Sequence, residues 1–170
     1  MALKITQAAD YAIRSMLYIA SLPEDRPILK NEVAESQDIP RSFTAKILRV
    51  LVHAGLLKST RGVKGGFTLA RPASEINMLE IVEATDGPIR LAACAIQAGD
   101  CEQASNCPSQ AVWNTVQEQI TATLRGANLE DLVSAPRRHG RVNFVSPPVA
   151  KNGTLSIGEP PTAKPPVEQT

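Results

Sequence analysis

Three cysteines, Cys94, Cys101 and Cys107, fall within fourteen residues at the spacing C-x6-C-x5-C, and the 170-residue chain has no others. Thiolates are nucleophiles, redox centres and soft metal ligands. A single free cysteine is ordinarily a small buried apolar residue. The stretch around these three carries Gly99, Asp100 and Asn106 and offers little core to bury them. One structural disulfide would leave a thiol over and would not persist in a reducing compartment. The paired C-x2-C ligands of structural zinc are missing, whereas iron–sulfur clusters take thiolates at wider spacings. Cys107 directly precedes Pro108 and a long helical pattern, where the positive end of a helix dipole favours a thiolate. Chemistry alone therefore leaves three readings: metal or cluster binding, thiol redox sensing, and inert cysteines. In the first, a fourth ligand must come from elsewhere in the chain or from another subunit.

A second feature is electrostatic. Formal net charge is only +1, yet residues 41–71 hold Arg41, Lys46, Arg49, Lys58, Arg61, Lys64 and Arg71 and no acid. Residues 88–133 carry a small acidic excess. Seven cations without an acid on one short stretch are what phosphates attract, because counterion release supplies much of nucleic-acid affinity.

The elements that must position these groups read as helix, helix, helix, hairpin, helix over residues 1–87. The first helix spans about Thr6 to Leu22, with Ala9, Ile13, Met16, Leu17 and Ala20 as its apolar stripe. Lys30 to Gln37 forms a second. Pro40 opens a third, whose apolar face is Phe43, Ile47, Leu48 and Leu51, and Gly55 stops it. Strands over 56–60 and 67–70 flank Arg61-Gly62-Val63-Lys64-Gly65-Gly66, a glycine-rich hairpin turn. Asn77 caps a fourth helix, with Glu80 as its capping-box partner. This order predicts a winged helix-turn-helix. Arg41, Ser42, Lys46 and Arg49 then lie on the outer face of the recognition helix, and Arg61 and Lys64 in the wing.

Pro108 starts a long helix to about Arg125. Val112, Val116, Ile120 and Leu124 form a stripe along it, with Trp113 alongside. Asn128 caps a short last helix. Residues 134–170 hold seven of the thirteen prolines and a single aromatic, Phe144, and read as a disordered tail. No apolar run approaches the ~20 residues that a membrane-spanning helix needs. Asp10 and Arg14 interrupt the N-terminal apolar stretch, so a secretory signal is not expected and the chain reads as cytoplasmic. No phosphate-binding loop or nucleophile–base constellation points to an enzyme.

With these elements in place, the chain resembles the Rrf-type winged-helix regulators, represented by IscR, NsrR, RirA and CymR. The resemblance covers about residues 1–133. It rests on Ile5-Thr6 and Asp10-Tyr11-Ala12-Ile13-Arg14, on Ser42-Phe43, and on Ala54-Gly55-Leu56-Leu57. Further matches are Arg61 to Phe67, the three-cysteine stretch, Ala111-Val112-Trp113 and Asn128 to Val133. It implies a homodimeric transcription factor, dimerised through the long helix, whose cysteine loop binds an iron–sulfur cluster. IscR-like members place a histidine ligand three positions after the third cysteine, where this chain has Gln110. Neither His53 nor His139 matches that ligand. NsrR-like members use a first-helix aspartate from the other subunit, and Asp10 falls at that position. The missing histidine and the aspartate favour a 4Fe-4S over a 2Fe-2S cluster, with Asp10 and Gln110 as the two candidates for fourth ligand. The x6 spacing leaves the subgroup open. CymR-type members lack the cluster cysteines, which argues against a role in cysteine metabolism.

The expectation is a mainly α chain with a small β-hairpin: a winged helix-turn-helix plus a long dimerisation helix. Its divisions are 1–87 for DNA binding, 88–108 for the cysteine loop, 109–133 for the dimerisation and last helices, and 134–170 for the tail. The expected activity is repression at a double-stranded DNA operator, controlled by a cluster that senses nitric oxide, redox state or iron–sulfur status. The alternative is a cluster-free regulator using thiol oxidation or a protein partner, and after that an iron–sulfur redox protein.

Overall fold

The computed structural model describes residues 5–23, 26–62, 65–91 and 107–135. Lys64, Cys94, Cys101 and the tail expected over 134–170, beyond Ala135, lie outside the described residues. Six α-helices and one hairpin make up the described chain: α1 Gln7–Ala20, α2 Lys30–Gln37, α3 Arg41–His53, β1 Leu57–Thr60, β2 Gly66–Leu69, α4 Met78–Asp86, α5 Gln110–Gly126 and α6 Leu129–Ser134. A single 3-10 turn, Ala73–Glu75, precedes α4.

The helix ends follow from local chemistry. Thr6 caps α1 by accepting from the Ala9 amide at 3.2 Å, satisfying an N–H with no helical partner. Asp38 takes a left-handed conformation (φ 51°) after α2. Ile39 and Pro40 follow, and α3 starts. Aspartate tolerates that conformation better than most residues, so Asp38 makes the turn between the two helices. At α4 the expected capping box is complete: the Glu80 amide donates to Asn77 Oδ1 and the Asn77 amide to Glu80 Oε2, both at 3.1 Å. Asn128 caps α6 through the Asp131 amide at 2.8 Å.

β1 and β2 pair antiparallel, with Leu57 opposite Leu69 and Thr60 opposite Gly66. A third segment joins them, which periodicity did not reveal because it is one residue long. Ile28 donates to the Phe67 carbonyl at 3.0 Å and accepts from the Phe67 amide at 2.9 Å. Gly66 is required there: a Cβ would lie 2.9 Å from the Ile28 backbone nitrogen and oxygen.

The core lies where α1, α3 and α4 meet the hairpin base. Met16, Leu48, Leu51, Leu56 and Ile81 are almost fully buried in it, each stabilising by about 1.5–3 kcal/mol. Two predicted faces are corrected. On α1 the buried set is Ala9, Ala12, Ser15, Met16 and Ile19, while Ile13, Leu17 and Ala20 are half-buried. Those three still pack against the core, while Ala12, Ser15 and Ile19 lie deeper on a helix that meets both α3 and α4. On α3, Phe43 is 43% exposed and Thr44 is fully buried in its place. The Thr44 hydroxyl loses nothing by burial, since it donates back to the Pro40 carbonyl at 3.2 Å. Phe43 instead meets Tyr11 of α1 edge to face at 6.0 Å.

α6 belongs to this same core. The Met78 amide donates to Ala127 and the Leu129 amide to Ile76, each at 2.9 Å. Leu129 is fully buried in this core, where α6 packs against α1 and the Ala73–Glu75 turn. Leu129→Ala should therefore cost about 2–5 kcal/mol, as other buried leucines do, read from the urea midpoint. An unchanged midpoint would show that α6 is only a surface appendage.

Candidate functional site

Two surfaces carry the residues singled out by their chemistry. The first is the side of α3 turned away from Ile47, Leu48 and Leu51. Arg41, Ser42, Lys46 and Arg49 are all exposed there, and Lys58 and Arg61 are exposed on and beside β1. Arg41 reaches Glu35 of α2 at 2.9 Å. Both partners are largely exposed, so this pair contributes little and can be exchanged for another anion. Lys46, Arg49, Lys58 and Arg61 form no ion pair among the described residues. The seventh cation of the basic stretch is employed elsewhere. Arg71 is half-buried and bonds Glu80, the residue that closes the α4 capping box. Its charge is neutralised inside the fold, which net-charge counting did not distinguish.

The second surface is the start of α5. Cys107 is half-exposed, and its Sγ lies 3.1 Å from Ser109 Oγ. This thiol is held below the ordinary thiol pKa. The Ser109 hydroxyl is the largest cause, followed by the Ser109 backbone, with a smaller contribution from the Gln110 backbone. Slight desolvation opposes them. A dipole at the helix end was the expected cause; the structure supplies specific donors in the turn that begins α5. They favour the thiolate, which is the form that binds soft metals and reacts with oxidants.

Cys107 is the one member of the cysteine trio within the described residues, and among those residues no three His, Cys, Asp or Glu side chains gather as a metal site. The donor chemistry at Cys107 nonetheless fits a thiolate-ligated iron. Asp10 lies in the first turn of α1, exposed, with its carboxylate 3.7 Å from Arg14. Arg14 also lies over the Tyr11 ring, 5.8 Å from its centre. Gln110 is the first residue of α5 and is half-buried. Among the described residues no hydrogen bond or ion pair joins Asp10 to Cys107, but the structure does fix the end of the fold to which Asp10 belongs. Thr6 donates from its amide (3.1 Å) and its hydroxyl to the Asp86 carboxylate. The start of α1 is thereby tied to the end of α4, from which the chain leaves toward the cysteines.

Sequence reasoning missed the role of Gln117. It bonds the backbone of residues 89 and 91, on the segment leading into the cysteine stretch. Its only sequence signal was a polar residue between the apolar positions Val116 and Ile120. The stripe on α5 is only partly covered: no residue of this 17-residue helix is fully buried, Val116, Ile120 and Leu124 are half-buried, and Val112 and Trp113 are 51% and 42% exposed.

Serine-to-alanine replacement at position 109 tests the thiol assignment. Removing the largest stabilising donor should move the alkylation midpoint of Cys107 upward in pH, toward the ordinary thiol range. A midpoint that stays in place would assign the effect to the backbone alone.

The chain was compared with known proteins. Residues 5–135 match the family described as "Rrf2: Iron-dependent Transcriptional regulator". The chain is 32% identical over 145 residues to Protein aau3 of Rhizobium meliloti, covering 84% of this chain and 91% of that protein. It is 30% identical over 132 residues to the HTH-type transcriptional regulator IscR of Photorhabdus laumondii, covering 78% of this chain and 80% of that one. Among solved structures, T. potens IscR matches with a TM-score of 0.62 and 26% identity, over 78% of this chain and 88% of its own. CymR, the global cysteine regulator of B. subtilis, matches with a TM-score of 0.65 and 26% identity, over 78% and 98%.

Proposed function

The chain belongs to the Rrf2 family of transcriptional regulators, and we propose that it is a homodimeric, cytoplasmic repressor that binds an operator through α3 and the wing under the control of an iron–sulfur cluster. The fold is a winged helix, and DNA binding is the activity of the family. The observation that carries the reading is the exposed cationic face of Lys46, Arg49, Lys58 and Arg61, set opposite the buried face of α3. Arg41, Ser42, Lys46 and Arg49 would approach base edges and phosphates in the major groove. Arg61 and Lys64 would follow the backbone or the minor groove. The apolar stripe of α5, from the exposed Val112 to the half-buried Leu124, would pair with that of a second copy.

Cys94, Cys101 and Cys107 would hold the cluster as thiolates, with Asp10 of the partner subunit as the oxygen ligand and a 4Fe-4S form favoured. When bound, the cluster would supply a centre that reacts with small oxidants or nitric oxide. For Asp10 to serve, its carboxylate must leave Arg14, a half-exposed pair that holds it weakly. The cluster state can alter DNA affinity only if it favours one of two arrangements of the dimer. Cys107 begins the helix proposed to join the two copies, so it is placed to favour one.

The second reading is a cluster-free regulator switched by thiol oxidation. The lowered pKa of the half-exposed Cys107 favours it equally. Anaerobic purification separates the two. Visible thiolate-to-iron absorbance with about four irons per chain, as a 4Fe-4S centre requires, supports the cluster. A colourless, iron-free protein supports thiol switching.

Two substitutions test the assignments. Arg61→Ala should weaken binding to a random-sequence duplex and lower the slope of log K against log salt by about one. An unchanged slope would remove the wing from the interface. Asp10→Ala should still assemble a cluster but alter its spectrum and speed its loss, since an oxygen ligand is replaced. A silent Asp10→Ala together with an altered Gln110→Ala would transfer the role to Gln110.

A further inference from the structure

The side chain of Gln117 imitates a β-strand. Its Nε2 donates to the Ile89 carbonyl at 2.7 Å, and its Oε1 accepts from the Leu91 amide at 3.1 Å. In an extended chain the carbonyl of one residue and the amide two residues on point the same way, as at a strand edge. A primary carboxamide offers one donor and one acceptor to match them. Both bonds are half-buried, and Nε2 is also 3.4 Å from Thr121 Oγ1 on the next turn of α5.

We propose that Gln117 is a positioning residue: it fixes on α5 the register of the chain entering the cysteine stretch, and so sets the geometry in which the thiols meet a cluster. The second half of this statement rests on the cluster reading above. Cys107, at the far end of the stretch, runs directly into the same helix. One rigid element therefore holds both ends. Gln110 and Gln117 are separated by about 10 Å along the axis at 1.5 Å per residue, and they lie two turns apart on one face. Asn114 stands between them on that face, and its Oδ1 is buried without a partner. Val116, Ile120 and Leu124 are half-buried beside them, so these polar groups share the covered side of α5, while Val112 at the start of the stripe is exposed.

The chemistry restricts what can replace Gln117. Glutamate keeps the acceptor for Leu91 but turns a negative oxygen toward the Ile89 carbonyl. Methionine keeps the length and loses both bonds. Asparagine keeps the amide but is one methylene short. The test uses the full chain carrying Gln117→Met, Gln117→Glu or Gln117→Asn, with two measurements: hydrogen exchange of the Leu91 amide, and decay of thiolate-to-iron absorbance after anaerobic reconstitution with iron and sulfide. Met should speed Leu91 exchange about five- to tenfold, the factor one net hydrogen bond is worth, and should speed absorbance decay. Glu should retain more Leu91 protection than Met and yet also speed the decay. Leu129 exchange should stay constant in all three, which excludes general unfolding. Unchanged Leu91 exchange in Met would overturn the clamp. Faster Leu91 exchange with unchanged decay would overturn the link to the thiols. A wild-type chain that takes up no iron would overturn that link together with the cluster reading, while Leu91 exchange still decides the clamp.

Discussion

Two backbone hydrogen bonds close the architecture. The amide of Met78 meets the carbonyl of Ala127, and the amide of Leu129 meets the carbonyl of Ile76, each at 2.9 Å. They fasten the start of α4 to the start of α6. Everything between, from Met78 to Ala127, is therefore a closed excursion that leaves the core along α4 and returns along α5. α5 packs against α4, and no residue of this 17-residue helix is buried among the described residues. Along the apolar stripe of α5, Val116, Ile120 and Leu124 are half-buried, while Val112 and the neighbouring Trp113 are exposed at its start. An exposed apolar patch marks an interaction surface, and Val112 and Trp113 belong to the face proposed above to meet a second copy.

The same core separates charge from hydrophobicity on α3. Ile47, Leu48 and Leu51 anchor one side, so Lys46 and Arg49 have no position available except the outside. The hairpin is held beside that helix by Leu56 and Leu57, both almost fully buried, and by the Ile28–Phe67 bridge. The positive surface is then a consequence of burial on its reverse. Arg71 shows the complement: its neighbour Glu80 was already committed to capping α4, and the pair became part of the scaffold.

The cysteine end is tuned by small groups. One serine hydroxyl two residues from Cys107 is the largest single cause of its lowered pKa. The link between α1 and α4 through Thr6 and Asp86 places the Asp10 end of α1 beside the exit toward the cysteines. The first turn of α1 is thus held at the end of α4, while Tyr11 on the same helix meets Phe43 beside the cationic residues of α3.

Local physics made much of this legible in the sequence. The caps at Thr6, Asn77 and Asn128, the break at Gly55 and the glycine-rich turn are short-range signals, and each element begins or ends within a residue or two of where they place it. The basic stretch and the cysteine spacing were equally plain. Which way a helix faces was not, because it depends on its neighbours. Thr44 displaced Phe43 from the core because its hydroxyl could bond back to Pro40 and Tyr11 could receive the ring. Ala12 and Ile19 lie deeper than Ile13 and Leu17, which still pack against the core, because α1 meets both α3 and α4. The Ile28 bridge, the return of α6 to the core and the grip of Gln117 on residues 89 and 91 join positions 26 to 53 residues apart. Such contacts leave no periodicity in the chain, and only tertiary structure decides them.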